Sequence, residues 1–238
     1  MNYFNDFSIV TITYNDNEGL SNTIKSISNL IEKGTKHIII DGARKLNKKD
    51  FHSNTLLISE KDQGIYDALN KGISYVKTKY FMLLHSGDCF ISSSKSIYRI
   101  LEKIGTGKYD FIISNQYIAF HNKYRKHRSD NWSPWMLKFG AQPAHLPTIY
   151  NSKFAKKINY DSSINIIADF FYFGELFSLK PKWGFTNVYL VRMNGGGKTS
   201  SGLVSFFRVS NEFIKQKGLI KGLIISLFRV PFKILQSF

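Results

Sequence analysis

The chain has 238 residues, 43% of them hydrophobic, which is enough to bury a sizeable core in one compact domain with a tail. Its 33 Lys and Arg against 17 Asp and Glu leave a formal net charge of +16, favouring phosphate-rich partners or an anionic membrane surface without choosing between them. A single cysteine, Cys89, excludes an internal disulfide and a cysteine-rich zinc site, and fits a reducing compartment. The opening MNYFNDF has no basic region followed by an apolar run, so no signal peptide is expected, and no stretch is apolar for long enough to span a bilayer.

In chain order, Ser8 to Thr13 (SIVTIT) reads as a strand buried on both faces, and Tyr14 to Asn17 as a polar loop. Apolar residues at 20, 24, 27, 30 and 31 predict a helix over 18–31. A second strand, His37 to Ile40, ends on Asp41 and Gly42, and this strand, helix, strand order predicts a right-handed crossover in a parallel sheet. The stretch LISEKDQGIYDALNKGISYVKTKYFMLLHSGDCF then forms one βαβ unit. Its first strand ends at Glu60, its helix runs from Gly64 to about Lys77, and Tyr80 to Leu84 leads to His85, Ser86, Gly87 and Asp88. Ligands of open α/β sheets bind at the carboxyl ends of parallel strands, which singles out Glu60, Asp62 and Asp88. Taken alone, Asp88 also fits a turn former or helix cap, and Glu60 and Asp62 a solvated loop. The free N–H groups at Gly64 suit a phosphate or a sugar hydroxyl, while Asp67 and Lys71 have the spacing of a surface ion pair.

A helix over 92–104 and a strand from Tyr109 to Ser114 follow, and the character then changes. His121 to Asp161 is basic and aromatic, with Lys123, Arg125, Lys126 and Arg128 near Trp132 and Trp135. Such a segment suits single-stranded nucleic acid, a sugar on a lipid diphosphate carrier, or simply a solvated hairpin; with no nucleic-acid module elsewhere, the carrier is the favoured ligand. Pro143 and Pro147 fix the backbone around His145. Asn165 to Lys180 reads as an apolar helix holding one acid, Asp169, and ionised acids seldom sit among Ile, Ala and Phe without a reason. After a strand over Phe185 to Met193, Asn194 to Lys198 forms a glycine-rich loop; Arg192 occupies the place of the first glycine of a P-loop, which excludes that motif. The tail, Leu203 to Phe238, alternates apolar and basic residues and suits either an anionic membrane interface or packing on protein.

ISEKDQGIYDALNKGI followed by LLHSGD resembles the nucleotide-sugar glycosyltransferases of family 2, especially the small bacterial members that build surface polysaccharides, and further matches extend over roughly residues 8–197. The resemblance implies an α/β domain of the GT-A type, a mostly parallel sheet flanked by helices, over residues 1–200, with a basic amphipathic helical appendage over 201–238. It makes Tyr14 the stacking partner of the donor base and Asp41 a hydrogen-bond acceptor for it, roles that suit uracil. Glu60, Asp62, Gly64, Asn70 and Lys71 are placed on the donor side, with Lys71 near the diphosphate. Asp88 becomes the ligand of Mn²⁺ or Mg²⁺, His145 a contact to acceptor or diphosphate, and Asp169 the general base of one inverting displacement. The implied partners are a UDP-sugar, a lipid-diphosphate-linked saccharide and an anionic membrane surface, with no nucleic acid, at the cytoplasmic face of a bacterial membrane. Two departures stand out: His85 replaces the usual Asn of the turn, and residues 43–47 have lost the family pattern. A sugar nucleotidyltransferase and a non-catalytic polyanion or membrane binder on the same scaffold are the rival readings.

Overall fold

The computed structural model describes residues 2–120, 123–194 and 203–235. Strand β1 (Phe7–Thr13) is buried at all seven positions, as its β-branched sequence predicts for a central strand. Helix α1 (Asn17–Glu32) starts where the Asp16 carboxylate accepts from Gly19 N at 3.0 Å, and buries Leu20, Ile27, Leu30 and Ile31. Strands β2 (Lys36–Asp41), β3 (Thr55–Ser59) and β4 (Tyr80–Leu83) join β1 in parallel, in the order β3-β2-β1-β4. Helix α2 (Ile65–Ser74) links β3 to β4 and ends three residues earlier than its sequence pattern predicts. The reason lies outside the helix: Lys156 donates to the carbonyls of Ser74 (3.2 Å) and Val76 (2.5 Å), satisfying groups that a further turn would have used.

Beyond β4 the sheet becomes mixed. Strand β5 (Cys89–Phe90), helix α3 (Ser94–Gly105), strand β6 (Phe111–Phe120), strand β7 (Lys123–His127), strand β8 (Thr148–Asn151) and the short helix α4 (Ser152–Ala155) come next. Helix α5 (Ala168–Ser178), strand β9 (Trp183–Met193) and helices α6 (Leu203–Lys217) and α7 (Leu219–Leu235) complete the order. The sheet continues β4-β8-β6-β9-β5, with β7 on β6. Here β8 is antiparallel to β4 and β6, whereas β6 and β9 run parallel. The parallel character read from the sequence belongs to β3-β2-β1-β4, where the crossovers through α1 and α2 set the direction of β1 to β2 and β3 to β4; β8 returns through a long loop, which imposes none.

The basic segment divides in two. Residues 123–126 form an exposed hairpin arm, but Trp132 is core, donating Nε1–H to Ala141 O at 3.0 Å and packing on Phe177 and Trp183. Of these two tryptophans, Trp135 is the exposed one, packed edge-on against Phe139. The tail forms a helical hairpin around Gly218, whose φ of 80° favours glycine. A Cβ on Gly222 would lie 2.4 Å from Ile214 Cα, so only glycine admits this crossing. One face of the hairpin packs on the domain: Phe213 meets Phe170 edge-on at 5.0 Å, and Phe228 meets Phe139 at 5.4 Å. The other face stays open, with Ile220 74% and Leu227 68% exposed. No helix among the described residues is long and apolar enough to cross a membrane.

Burial leaves a pH signature. His37 in β2, bonded through Nε2 to Thr11 Oγ1 at 2.9 Å, and His85 after β4 are both pushed by burial from 6.5 down to about 3. An unfolded chain therefore binds more protons than the folded one below pH 6.5, so this stability is complete above 6.5 and is lost as pH falls toward 3. The melting temperature should fall on acidification from about pH 6.5 to about pH 4, less steeply in His37→Gln than in the wild type. Parallel melting curves for the two proteins across that range would exclude His37 as a source of acid sensitivity.

Candidate active site

The site begins where β1 and β4 end. Pairing continues past β4 through Leu84 N to Val10 O (2.9 Å) and Ser86 N to Ile12 O (3.1 Å), drawing His85 to Asp88 beside the end of β1. The turn closes at Gly87, whose φ is 89°. Its partner is α1: the buried Thr23 hydroxyl lies 2.7 Å from Asp88 O and accepts from Gly87 N at 3.0 Å, while Ser86 Oγ donates to the Asp16 carboxylate at 2.8 Å. Asp88 itself is 5% exposed and its carboxylate accepts from Asn194 N at 2.9 Å. Burial pushes its carboxyl up to about 7, with that one hydrogen bond pulling the other way.

A second group faces this turn. His85 and His145 rings lie 5.6 Å apart, and His145 Nδ1 is 3.6 Å from Asp169 Oδ2. Asp169 is not in mid-helix, as the apolar run suggested, but in the first turn of α5, because the helix starts only at Ala168. There it is half-buried, gains from the positive end of the helix and accepts from Gln142 Nε2. Burial holds both histidines below the ordinary imidazole range, although Asp169 draws His145 upward. Neutral imidazoles beside a carboxylate leave it free to accept a proton. Arg229 of α7 reaches the same region; burial lowers its guanidinium to about 10 while Asp169 opposes the shift.

The donor-side residues distribute differently. Tyr14 is 66% exposed at the end of β1, available for stacking. Asp41 is buried at the end of β2 and already accepts from Ala43 N (3.0 Å), Lys45 N (2.7 Å), Leu46 N (2.9 Å) and Ser59 Oγ (3.0 Å). These bonds outweigh burial and hold its carboxyl below the usual range. Three of these donors converge on Oδ2 and one on Oδ1, so Asp41 shapes the 42–46 loop while Oδ1 keeps an acceptor position. Asp62 accepts from Gly64 N at 3.0 Å and lies over the end of β2, where a Cβ on Gly42 would stand 1.7 Å from Asp62 Oδ2. Gly64 has a φ of 121° and open space around its Cα.

Two donor-side residues are already partnered. The Asn70 amide donates to Tyr160 O and accepts from Tyr160 N, both at 2.8 Å. Lys71 is held by Glu60 (3.4 Å), Asp67 (3.2 Å) and the carbonyl of Lys61 (2.8 Å), the surface ion pair that its helical spacing allowed. Asn70 thus faces the loop that precedes α5, which Tyr66 also reaches by donating to Ile166 O at 2.7 Å. The glycine-rich loop expectation at Gly195, Gly196, Gly197 and Lys198 lies outside the described residues. Gln142 sits within the QPAHLPTIY segment and was missed for lack of a charge; Arg229 was one of many basic tail residues with no motif around it.

The glycosyl transferase family 2 model matches residues 8–178, which contain every element of this site except Asn194 and Arg229. The chain belongs to glycosyl transferase family 2. An 89-residue segment is 36% identical to the uncharacterized glycosyltransferases Rv1514c and MT1564 of two strains of Mycobacterium tuberculosis, covering 35% of this chain and 34% of those proteins. The match thus spans about a third of these relatives' length. Among solved structures, S. aureus TarS 1–349 in complex with UDP superposes with a TM-score of 0.63 at 10% identity, covering 93% of this chain and 70% of TarS 1–349. The mannosyltransferase PcManGT from Pyrobaculum calidifontis, in complex with GDP-Man and Mn²⁺, superposes at 0.61 with 8% identity, over 97% of this chain and 73% of PcManGT. Family 2 membership and these superpositions establish the fold as GT-A, in agreement with the α/β architecture read from the sequence.

Because Asn70 satisfies both backbone groups of Tyr160, Asn70→Ala should cost about 1–3 kcal/mol in chemical denaturation without altering the affinity of the protein for UDP. A loss of UDP binding at unchanged stability would return Asn70 to the donor side.

Proposed function

We propose that this family 2 protein transfers a sugar from a nucleotide donor, a UDP-sugar, to a saccharide on a lipid diphosphate carrier, with inversion at the anomeric carbon. The observation that carries this reading is the chain of contacts from the Asp88 turn through His85 and His145 to Asp169, which brings a carboxylate of the turn after β4 and one of the first turn of α5 into one cluster. Tyr14, exposed beyond β1, offers a face to the donor base. Asp169, steadied by Gln142 and near His145, takes the proton of the acceptor hydroxyl as that oxygen attacks the anomeric carbon opposite the leaving diphosphate. A single displacement follows, with no covalent intermediate on the protein.

The residues present fit a hard divalent cation. Asp88 is a buried oxygen donor with one N–H partner and a raised carboxyl, an environment that a cation would relieve. No group of three or more candidate ligands occurs among the described residues, so Asp88 would share Mn²⁺ or Mg²⁺ with ligand phosphate oxygens. When bound, the cation supplies neutralisation of charge on the leaving diphosphate. The open face of α7, with Ile220, Leu223, Ile224 and Leu227 beside Lys217 and Lys221, supports docking on an anionic membrane, where the acceptor would reside, and hence a peripheral position at the cytoplasmic face.

Two experiments test this. Asp169→Asn should retain UDP affinity while lowering transfer by roughly 10²–10⁴-fold, assayed on lipid diphosphate acceptors in vesicles. Turnover near wild type would remove the base assignment, and equal rates on neutral and anionic vesicles would remove the membrane role. Protons and cations compete for Asp88, so Mn²⁺ affinity should rise by up to about tenfold per unit as pH increases toward 7, and then level off. Calorimetry with Asp88→Asn should show neither the Mn²⁺ binding nor its pH dependence; unchanged binding would exclude Asp88 as the ligand.

A further inference from the structure

Helix α7 has two faces, and the inner one bears on the chemistry. Ile225 lies so close to the loop after Met136 that a Cβ on Gly140 would stand 2.5 Å from Ile225 Cγ2. Gln142, two residues past that contact, holds the Asp169 carboxylate. Arg229 follows Ile225 by one helical turn on the same side, next to Phe228, which packs on Phe139 at 5.4 Å, and lies within electrostatic reach of Asp169. Glu212 of α6, which accepts from Asn165 N at 3.3 Å, fastens the hairpin to the loop leading into α5. The C-terminal hairpin is thus clamped on both sides of the region that Arg229 enters.

Arg229 is half-buried and takes part in none of the ion pairs found among the described residues, and no described side chain accepts a hydrogen bond from it. A guanidinium drawn partly out of water favours a paired anion, because desolvating an unpaired charge is costly. Asp169 attracts Arg229 from a distance without closing an ion pair. A closed pair would also weaken Asp169 as a base, since a guanidinium on a carboxylate favours its ionised form. An anion bound between the hairpin and the strand edge satisfies the guanidinium and leaves the carboxylate free.

We propose that Arg229 is a substrate-binding residue, delivered by the C-terminal hairpin, whose guanidinium holds a diphosphate beside Asp169. The inference rests on the sugar-transfer reading, in which donor and acceptor each bring a diphosphate into the site. A planar fork of donors suits two phosphate oxygens at once, which a lysine ammonium does not. The tail is then part of the active site as well as a membrane-facing surface, and the helix that meets lipid on one side meets substrate on the other.

The test compares wild type, Arg229→Gln and Arg229→Lys as full-length proteins with matched melting temperatures, using calorimetry with two probes. UDP with Mn²⁺ reports the donor, and farnesyl diphosphate, with farnesol as control, reports a lipid-borne diphosphate. Arg229→Gln should weaken one probe by about tenfold or more, with partial recovery in Arg229→Lys and no change for farnesol. The probe that weakens identifies which diphosphate Arg229 holds. Unchanged affinity for both probes in a folded Arg229→Gln overturns the inference while the sugar-transfer reading stands. Failure of the wild type to bind either probe overturns both. Should Arg229→Gln not fold, Arg229→Lys alone decides, because loss of the fork at retained charge and stability should still weaken the same probe.

Discussion

The candidate site is organised by the tie between helix α1 and the turn after β4. The Thr23 hydroxyl, fully buried, reaches the carbonyls of Gly19 (3.0 Å), His85 (3.3 Å) and Asp88 (2.7 Å) and receives Gly87 N. One small group thereby holds a four-residue turn against a rigid helix, while the Asp16 carboxylate caps that helix and receives Ser86. The orientation of Asp88 and the approach of His85 to His145 follow from that tie. A turn left to solvent would not keep a carboxylate buried against its own desolvation cost.

Burial also decides how the site is charged. Within a strongly basic chain, the centre is formed by two neutral-leaning histidines and two carboxylates, with Arg229 as the cation brought from the tail. The surplus positive charge lies elsewhere, on the arm at 123–126 and along the helical hairpin. Bulk charge draws anionic partners from a distance, whereas the desolvated groups set the chemistry at close range. The two scales share a scaffold in α7, whose outer residues are apolar and exposed and whose inner residues are clamped to the domain.

Much of the fold was legible in the chain itself. The run SIVTIT, the apolar spacing of α1 and the strand ends at Asp41 and Asp88 all lie where pattern placed them, because a strand buried on both faces and a one-faced helix leave periodic marks. Mixed pairing beyond β4 left no such mark: β8 is a short apolar segment whose direction is set by a loop, and loops carry little periodicity. Trp132 and Trp135 illustrate the same limit, since two nearby aromatics with equal propensity separate into core and surface only once α5 and β9 close over one of them.

The sequence alone determined the class of fold, the strand ends that gather acids, and the motif run that marks family 2, because local pattern and residue identity suffice for those. Only the tertiary structure decided what each polar group is occupied with. Asn70 and Lys71 match a donor-side motif and are bonded to Tyr160 and to neighbouring acids, and Asp41 holds its own loop mainly through Oδ2. Gln142, uncharged within its segment, bonds Asp169, and Arg229, in no motif, lies within its electrostatic reach. The availability of a hydrogen-bonding or charged group depends on which distant backbone and side-chain groups reach it first, and that competition is settled by packing between residues far apart in the chain.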